Sequence, residues 1–212
     1  VSSAASDVYK RQTVSAALPA QPVDPPTLAM TFAVNDSPLA GREGDKVTTR
    51  MIRARLMREA EGNVAIRVRD TENTDAYEVA GRGELQLGVL IETMRREGFE
   101  LAVGRPRVLF QNDPATGQRL EPIEEVVVDV DEAYTGVVVE QISTRKGELQ
   151  DMRPSGAGKT RLVFHAPSRG LIGYHGEFLT DTRGTGVMNR LFHSYGPYRG
   201  PIPGRRNGAL IA

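Results

Sequence analysis

Apolar residues recur every second position at Leu28, Met30, Phe32 and Val34, which predicts a strand over 27–35. The period then lengthens. Ile52, Leu56 and Ala60 follow at four-residue spacing, with Val47 and Met51 in an adjacent row, so 48–61 reads as a helix that Gly62 ends. Val64, Ile66 and Val68 alternate with arginines as a half-exposed strand over 64–70, and 76–80 is a shorter one. Leu87, Leu90, Ile91 and Met94 form the buried stripe of a second helix over 84–97, with Glu84 at its start, Arg95 and Arg96 at its end and Gly98 after it. A strand over 99–103 completes the order β-α-β-β-α-β.

The same order recurs downstream: a strand over 123–130, a helix over 135–146 stopped by Gly147, strands over 149–153 and 161–166 joined by a turn at 154–158, a helix over 169–181 that Ser168 can cap, and a last strand over 187–194. The fold class this implies is α+β, two tandem ferredoxin-like (βαββαβ) sandwiches. Within the last helix Gly170, Gly173 and Gly176 fall on one face, at a cost of about 1 kcal/mol each relative to Ala. Two readings stand: close backbone packing against the sheet, or a bare face that admits an RNA backbone or a partner's loop.

At 39% hydrophobic and 25% charged, the 212-residue chain has the balance of a globular protein, with an aliphatic core because Trp is absent. The absence of Cys excludes disulfides and thiolate metal ligands and is compatible with a reducing compartment. No apolar run approaches the roughly 20 residues that span a bilayer. Net charge is zero, but its distribution is uneven. Residues 111–140 hold eight carboxylates against Arg119 alone, and 141–212 hold eleven bases against four acids. That basic end is either an ordinary solvated surface or a surface for a polyanion.

Local motifs that suggest catalysis fail on spacing. Gly156-Ala157-Gly158-Lys159-Thr160 looks like the end of a phosphate-binding loop, but Arg153 stands where the first glycine is required, and a strand follows where a helix should. A glycine-rich hairpin turn is the simpler reading. Gly81-Arg82-Gly83-Glu84 reads as a strand-to-helix turn, because no parallel βαβ unit surrounds it. The three histidines, His165, His175 and His193, lack i, i+4 spacing and stand beside no carboxylate in a ligand pattern, so no metal site is expected. The bases Arg145, Lys146, Arg153, Lys159 and Arg169 sit at predicted helix ends and turns; gathered on one side, they would neutralise phosphates and make binding salt-dependent. Few aromatics interleave them, which favours folded RNA over stacked single strands.

Several runs together carry a resemblance. Asn35-Asp36-Ser37-Pro38, Gly81-Arg82-Gly83-Glu84-Leu85 and Met94-Arg95-Arg96-Glu97-Gly98-Phe99-Glu100 resemble the third domain of the TypA/BipA family of translational GTPases. Pro167-Ser168-Arg169-Gly170-Leu171-Ile172-Gly173-Tyr174 and Arg183-Gly184-Thr185-Gly186 resemble its fifth-type domain, and Asn207-Gly208-Ala209-Leu210-Ile211 the start of its C-terminal domain. Elongation factor G shares the architecture. Within 1–26, residues 1–12 match no family segment and read as an added leader, and the resemblance implies a barrel-domain tail over 13–26, elongation factor G-like domains III and V over 27–106 and 107–196, and the beginning of a C-terminal domain over 197–212. It implies a cytoplasmic translation factor that binds the ribosome, with large-subunit rRNA and proteins as partners and neither membrane nor DNA, linked to ribosome assembly and stress adaptation. GTP and Mg belong to a family domain with no counterpart in these residues. No catalytic or cofactor-binding residue is therefore expected here, and the five bases above are the candidate RNA contacts.

Overall fold

The computed structural model describes residues 24–203. The expected leader, most of the barrel-domain tail and the run 207–211 lie outside the described residues. β1 (Leu28–Val34), α1 (Thr49–Gly62), β2 (Arg67–Asp70), β3 (Ala76–Gly81), α2 (Glu84–Arg96) and β4 (Leu101–Val103) form the first unit. Its antiparallel sheet runs β2-β3-β1-β4, the ferredoxin-like order, and β5 (Arg107–Val108) pairs with the start of β1. Leu28, Phe32 and Val79 of the sheet pack against Ile52 and Leu56 of α1 and Leu87, Leu90 and Met94 of α2; apart from Val79, these are positions the two periodicities single out. The Thr48 hydroxyl caps α1 by accepting the Met51 N–H. Val64 departs from expectation. It lies exposed in a turn closed by Ile66 N–H to the Asn63 carbonyl, so the strand starts at Arg67.

The loop before α1 is organised by Glu100. Its carboxylate accepts the backbone N–H groups of Gly41, Glu43 and Gly44 and the Asn35 side-chain amide. The Glu43 N–H leads these donors in holding the Glu100 carboxyl below the usual range.

The chain passes from the first sheet to the second between Val108 and Gln111, where β6 (Gln111–Asn112) pairs with β7 (Arg119–Asp131). α3 (Thr135–Thr144), the hairpin β8 (Glu148–Gly156) and β9 (Lys159–Pro167), α4 (Ser168–Leu171), α5 (Tyr174–Asp181) and β10 (Val187–Pro197) follow. The order β10-β7-β9-β8 repeats the ferredoxin-like arrangement. Val126, Val128, Val130, Leu162 and Phe164 form its core with Val138 and Ile142 of α3 and Tyr174 and Phe178 of α5.

Three expectations are corrected by the second unit. The helix predicted over 169–181 is broken: Ile172 is extended and Gly173 adopts a left-handed φ of 75°, so α4 and α5 are separate. The three glycines therefore share no face. A Cβ on Gly170 would stand 2.6 Å from the Arg145 carbonyl oxygen, so this close approach is to the end of α3, not to the sheet; Gly173 supplies the turn, and Gly176 faces open space. Ser168 is the first residue of α4 and its buried hydroxyl has no partner among the described residues, so it caps nothing. At the end of α3, Gly147 N–H bonds the Ile142 carbonyl and Lys146 N–H the Ser143 carbonyl, a Schellman closure with Lys146, rather than a glycine, in the left-handed position at φ 66°.

Candidate functional site

The second unit exposes one sheet face. Because α3 and α5 cover the side carrying Val126, Val128, Leu162 and Phe164, the alternate residues point the other way: Glu125, Val127 and Asp129 on β7, Arg161, Val163 and His165 on β9, Asn189 and Leu191 on β10. Arg161 and Asp129 form a two-pronged ion pair at 2.8 and 2.9 Å, and the Arg161 guanidinium holds the Asp129 carboxyl below its usual range. Arg153 stands opposite Arg161 across the β8–β9 ladder. Leu191 is 65% exposed beside this charged row.

The five predicted RNA contacts divide by environment. Arg145 is only 17% exposed. Its guanidinium donates to the carbonyl and side-chain oxygens of Gln141, pairs with Glu177, and lies 4.6 Å from the Tyr174 ring centre. Burial pushes the Tyr174 phenol up to about 12, so it stays neutral beneath that cation. Arg169, 15% exposed, makes a two-pronged pair with Glu121, which is fully buried, and donates to the Gly200 carbonyl. Both arginines are thus held within the protein. Lys146 is exposed, with Arg199 donating to its carbonyl. Arg153 is 62% exposed, its nearest acid Asp151 at 3.7 Å. Lys159 is half-buried and reaches the Thr185 carbonyl at 3.4 Å. Lys146 and Lys159 sit at opposite ends of the β8–β9 hairpin, separated by a strand of roughly 27 Å at 3.3 Å per residue. The structure does not gather the five into one cluster.

The turn at 156–158 is a hairpin. Ala157 and Gly158 have φ of 51° and 74°, the two left-handed residues of a type I′ turn, and Gly156 pairs with Lys159. No helix begins there, so no row of amides converges on a phosphate.

Two features escaped the one-dimensional reading. First, Arg190 is a domain clamp. It pairs with buried Glu124 at 2.8 Å, reaches Glu84 of the first unit at 3.4 Å and donates to the Leu171 carbonyl; Glu84 also accepts the Gly173 N–H at 3.2 Å. The kink that frees that N–H also turns Ile172 against the first unit's core. The signal in the sequence was Gly173 itself, read as helical. Second, Glu125, His165 and His193 meet on the open face. The imidazoles stack with centres 4.2 Å apart, and His165 Nε2 lies 3.8 Å from the Glu125 carboxylate. These residues come from three strands and share no spacing motif, but β7 lies between β9 and β10 and brings them together.

Residues 118–206 match the family described as elongation factor G C-terminus. Over 196 residues the chain is 52% identical to the large ribosomal subunit assembly factor BipA of Synechocystis sp. and 51% identical to that of Bacillus subtilis; over 197 residues it is 51% identical to that of Salmonella typhimurium. Each alignment takes in 92% of this chain and 32% of the relative, so the chain spans about a third of the length of the curated relatives it matches.

Proposed function

We propose, from the chain's membership of the BipA family, that these two domains form a ribosome-docking portion of a translational GTPase and perform no nucleotide chemistry themselves. The observation that carries the reading is the identity of about half of all aligned residues, over nine-tenths of this chain, with proteins named as large ribosomal subunit assembly factors. Docking on the large subunit, a part in its assembly and in stress adaptation, and a cytoplasmic location are all proposed on that basis. Among the described residues no helix is long and apolar enough to cross a membrane.

A guanidinium already engaged within the protein, Arg145 by Gln141 and the exposed Glu177 and Arg169 by the buried Glu121, has little capacity left for a phosphate. Arg145 and Arg169 therefore shape the surface, and Lys146 and Arg153 meet the RNA backbone, with Lys159 at the far end of the hairpin. The β8 edge strand on which Arg153 lies is exposed along its length; Pro154, two register shifts and its charges guard it against pairing with another sheet.

The test is co-sedimentation of the chain with purified large subunits over a range of salt. Affinity should fall steeply as salt rises, and each of Lys146→Glu and Arg153→Glu should flatten the log–log slope by about one unit. Binding that does not depend on salt, or slopes unchanged in the double variant, would defeat the assignment of these two residues. No binding at low ionic strength would defeat the docking role itself.

A further inference from the structure

We propose that Glu125, His165 and His193 form a binding site for a divalent transition-metal ion of the zinc class on the open face of the second sheet. One donor atom from each residue falls within 4.8 Å of the others. Glu125 lies on the central strand β7, directly opposite His165 of β9 in the ladder register. His193 reaches them by a local irregularity: the β10–β7 register shifts between Phe192 and Ser194, and His193 is the extra residue left without a partner. A bulge of this kind redirects one side chain. Here it lays the His193 ring over His165 at 4.2 Å, with 25° between the ring planes.

The donor set selects the ion. Two imidazole nitrogens and one carboxylate oxygen suit zinc, cobalt, nickel or copper, whereas magnesium and calcium take oxygen ligands almost exclusively. Zinc bonds to such donors are about 2.0–2.1 Å long, which puts tetrahedral ligand atoms roughly 3.3 Å apart. The three donors must therefore close in by no more than about 1.5 Å, a movement within the reach of side-chain torsions on a surface where His193 is exposed and the other two are half-buried. His165 Nε2 and the Glu125 carboxylate, at 3.8 Å, are too far apart for a hydrogen bond and so are not already committed to each other.

The backbone under the site is anchored. Arg199 donates to the His165 carbonyl at 3.0 Å and pairs with Glu148, the residue opposite His165 on β8. Three protein ligands leave a fourth position toward solvent for water or for a donor atom of a docked molecule. A bound ion would tie β9, β7 and β10 together across the face. None of this depends on the ribosome reading.

The experiment is a calorimetric titration of the chelator-stripped chain with ZnCl2 at pH 7.5, repeated with Co2+ and followed by absorption. One equivalent should bind saturably. His165→Ala and His193→Ala should each weaken binding at least tenfold, Glu125→Gln should weaken it less, and His175→Ala, the chain's other histidine, should leave it unchanged. Zinc should raise the melting temperature of the wild type and not that of the His165→Ala/His193→Ala variant. Absence of saturable binding, binding retained in that double variant, or an equal loss in His175→Ala would overturn the site.

Discussion

Arg169 separates a structural role from an RNA-binding one. The sequence places it among phosphate-seeking bases; the structure pairs it with Glu121, which has no solvent exposure at all. Arg169→Met keeps the side chain's bulk and removes its charge, leaving the Glu121 carboxylate buried with the Arg199 N–H at 2.8 Å as its remaining donor. Breaking a buried ion pair on one side costs ~3–5 kcal/mol. The surviving N–H bond and the slight exposure of Arg169 favour the lower end, about 3 kcal/mol. For a chain of this size each kcal/mol moves the melting temperature by about 2–4 °C, so the midpoint should drop by roughly 6–12 °C. Glu121→Gln is milder, about 1–2 kcal/mol, because Arg169 keeps the Gly200 carbonyl and some water. The double variant should lose clearly less than the sum, since neither charge is then left alone. Urea unfolding of all four proteins gives the coupling. A midpoint within 2 °C of wild type for Arg169→Met, with ribosome binding lost, would refute the structural assignment and return Arg169 to the RNA interface.

Three further outcomes follow from the same geometry. Ala157 occupies a left-handed position that disfavours a Cβ, so Ala157→Asn, a residue that tolerates this conformation, should raise stability by about 1 kcal/mol in thermal melts; an unchanged or lower midpoint would contradict the turn assignment. Ile172→Ala together with Glu84→Gln should remove both the apolar plug and the ion pair between the domains, splitting one calorimetric transition into two; a single unshifted transition would mean that the junction contributes nothing. Glu97, held low by Arg55, Glu100 by the Glu43 N–H and Asp129 by Arg161 all have depressed carboxyl values, so the stability they add is complete above the ordinary carboxylate range and drains away as pH falls through their folded values. Glu100→Gln should therefore flatten the fall in melting temperature between about pH 5 and pH 2, and an unaltered slope would exclude Glu100 from the acid transition.

How much of this was legible in one dimension depended on the range of the interaction involved. Local periodicity located the core of the first unit, where Ile52 and Leu56 face inward because four-residue spacing repeats on a helix, whereas the run Val126-Val127-Val128 marks a strand without saying which face is buried. The ferredoxin-like order followed from counting elements. Propensity failed where tertiary contact overruled it. Gly173 sits in a run whose apolar spacing suits a continuous helix, yet the chain breaks there to drive Ile172 into the neighbouring domain, and no feature within ten residues of Gly173 announces that neighbour. The fate of Arg145 and Arg169 was equally hidden, since their partners Glu177 and Glu121 stand 32 and 48 residues away.

The same distinction orders the surface. A cation at a turn looks alike in sequence whether it faces solvent or a buried acid, so charge counts overstate an RNA-binding face by the number of cations held internally. The uneven distribution of charge across 111–212 is resolved in part in this way. Glu121, Glu124 and Asp129 of the acidic stretch take Arg169, Arg190 and Arg161 of the basic one, so each half neutralises the other inside the fold. Among the described residues, the exposed cations of the basic stretch outside those pairs include Lys146, Arg183 and Arg153, the last with Asp151 at 3.7 Å. Under the proposed docking role, the Arg190–Glu84 clamp contributes shape rather than phosphate contacts by tying one domain to the other, so loss of the clamp should weaken ribosome binding without changing its salt slope.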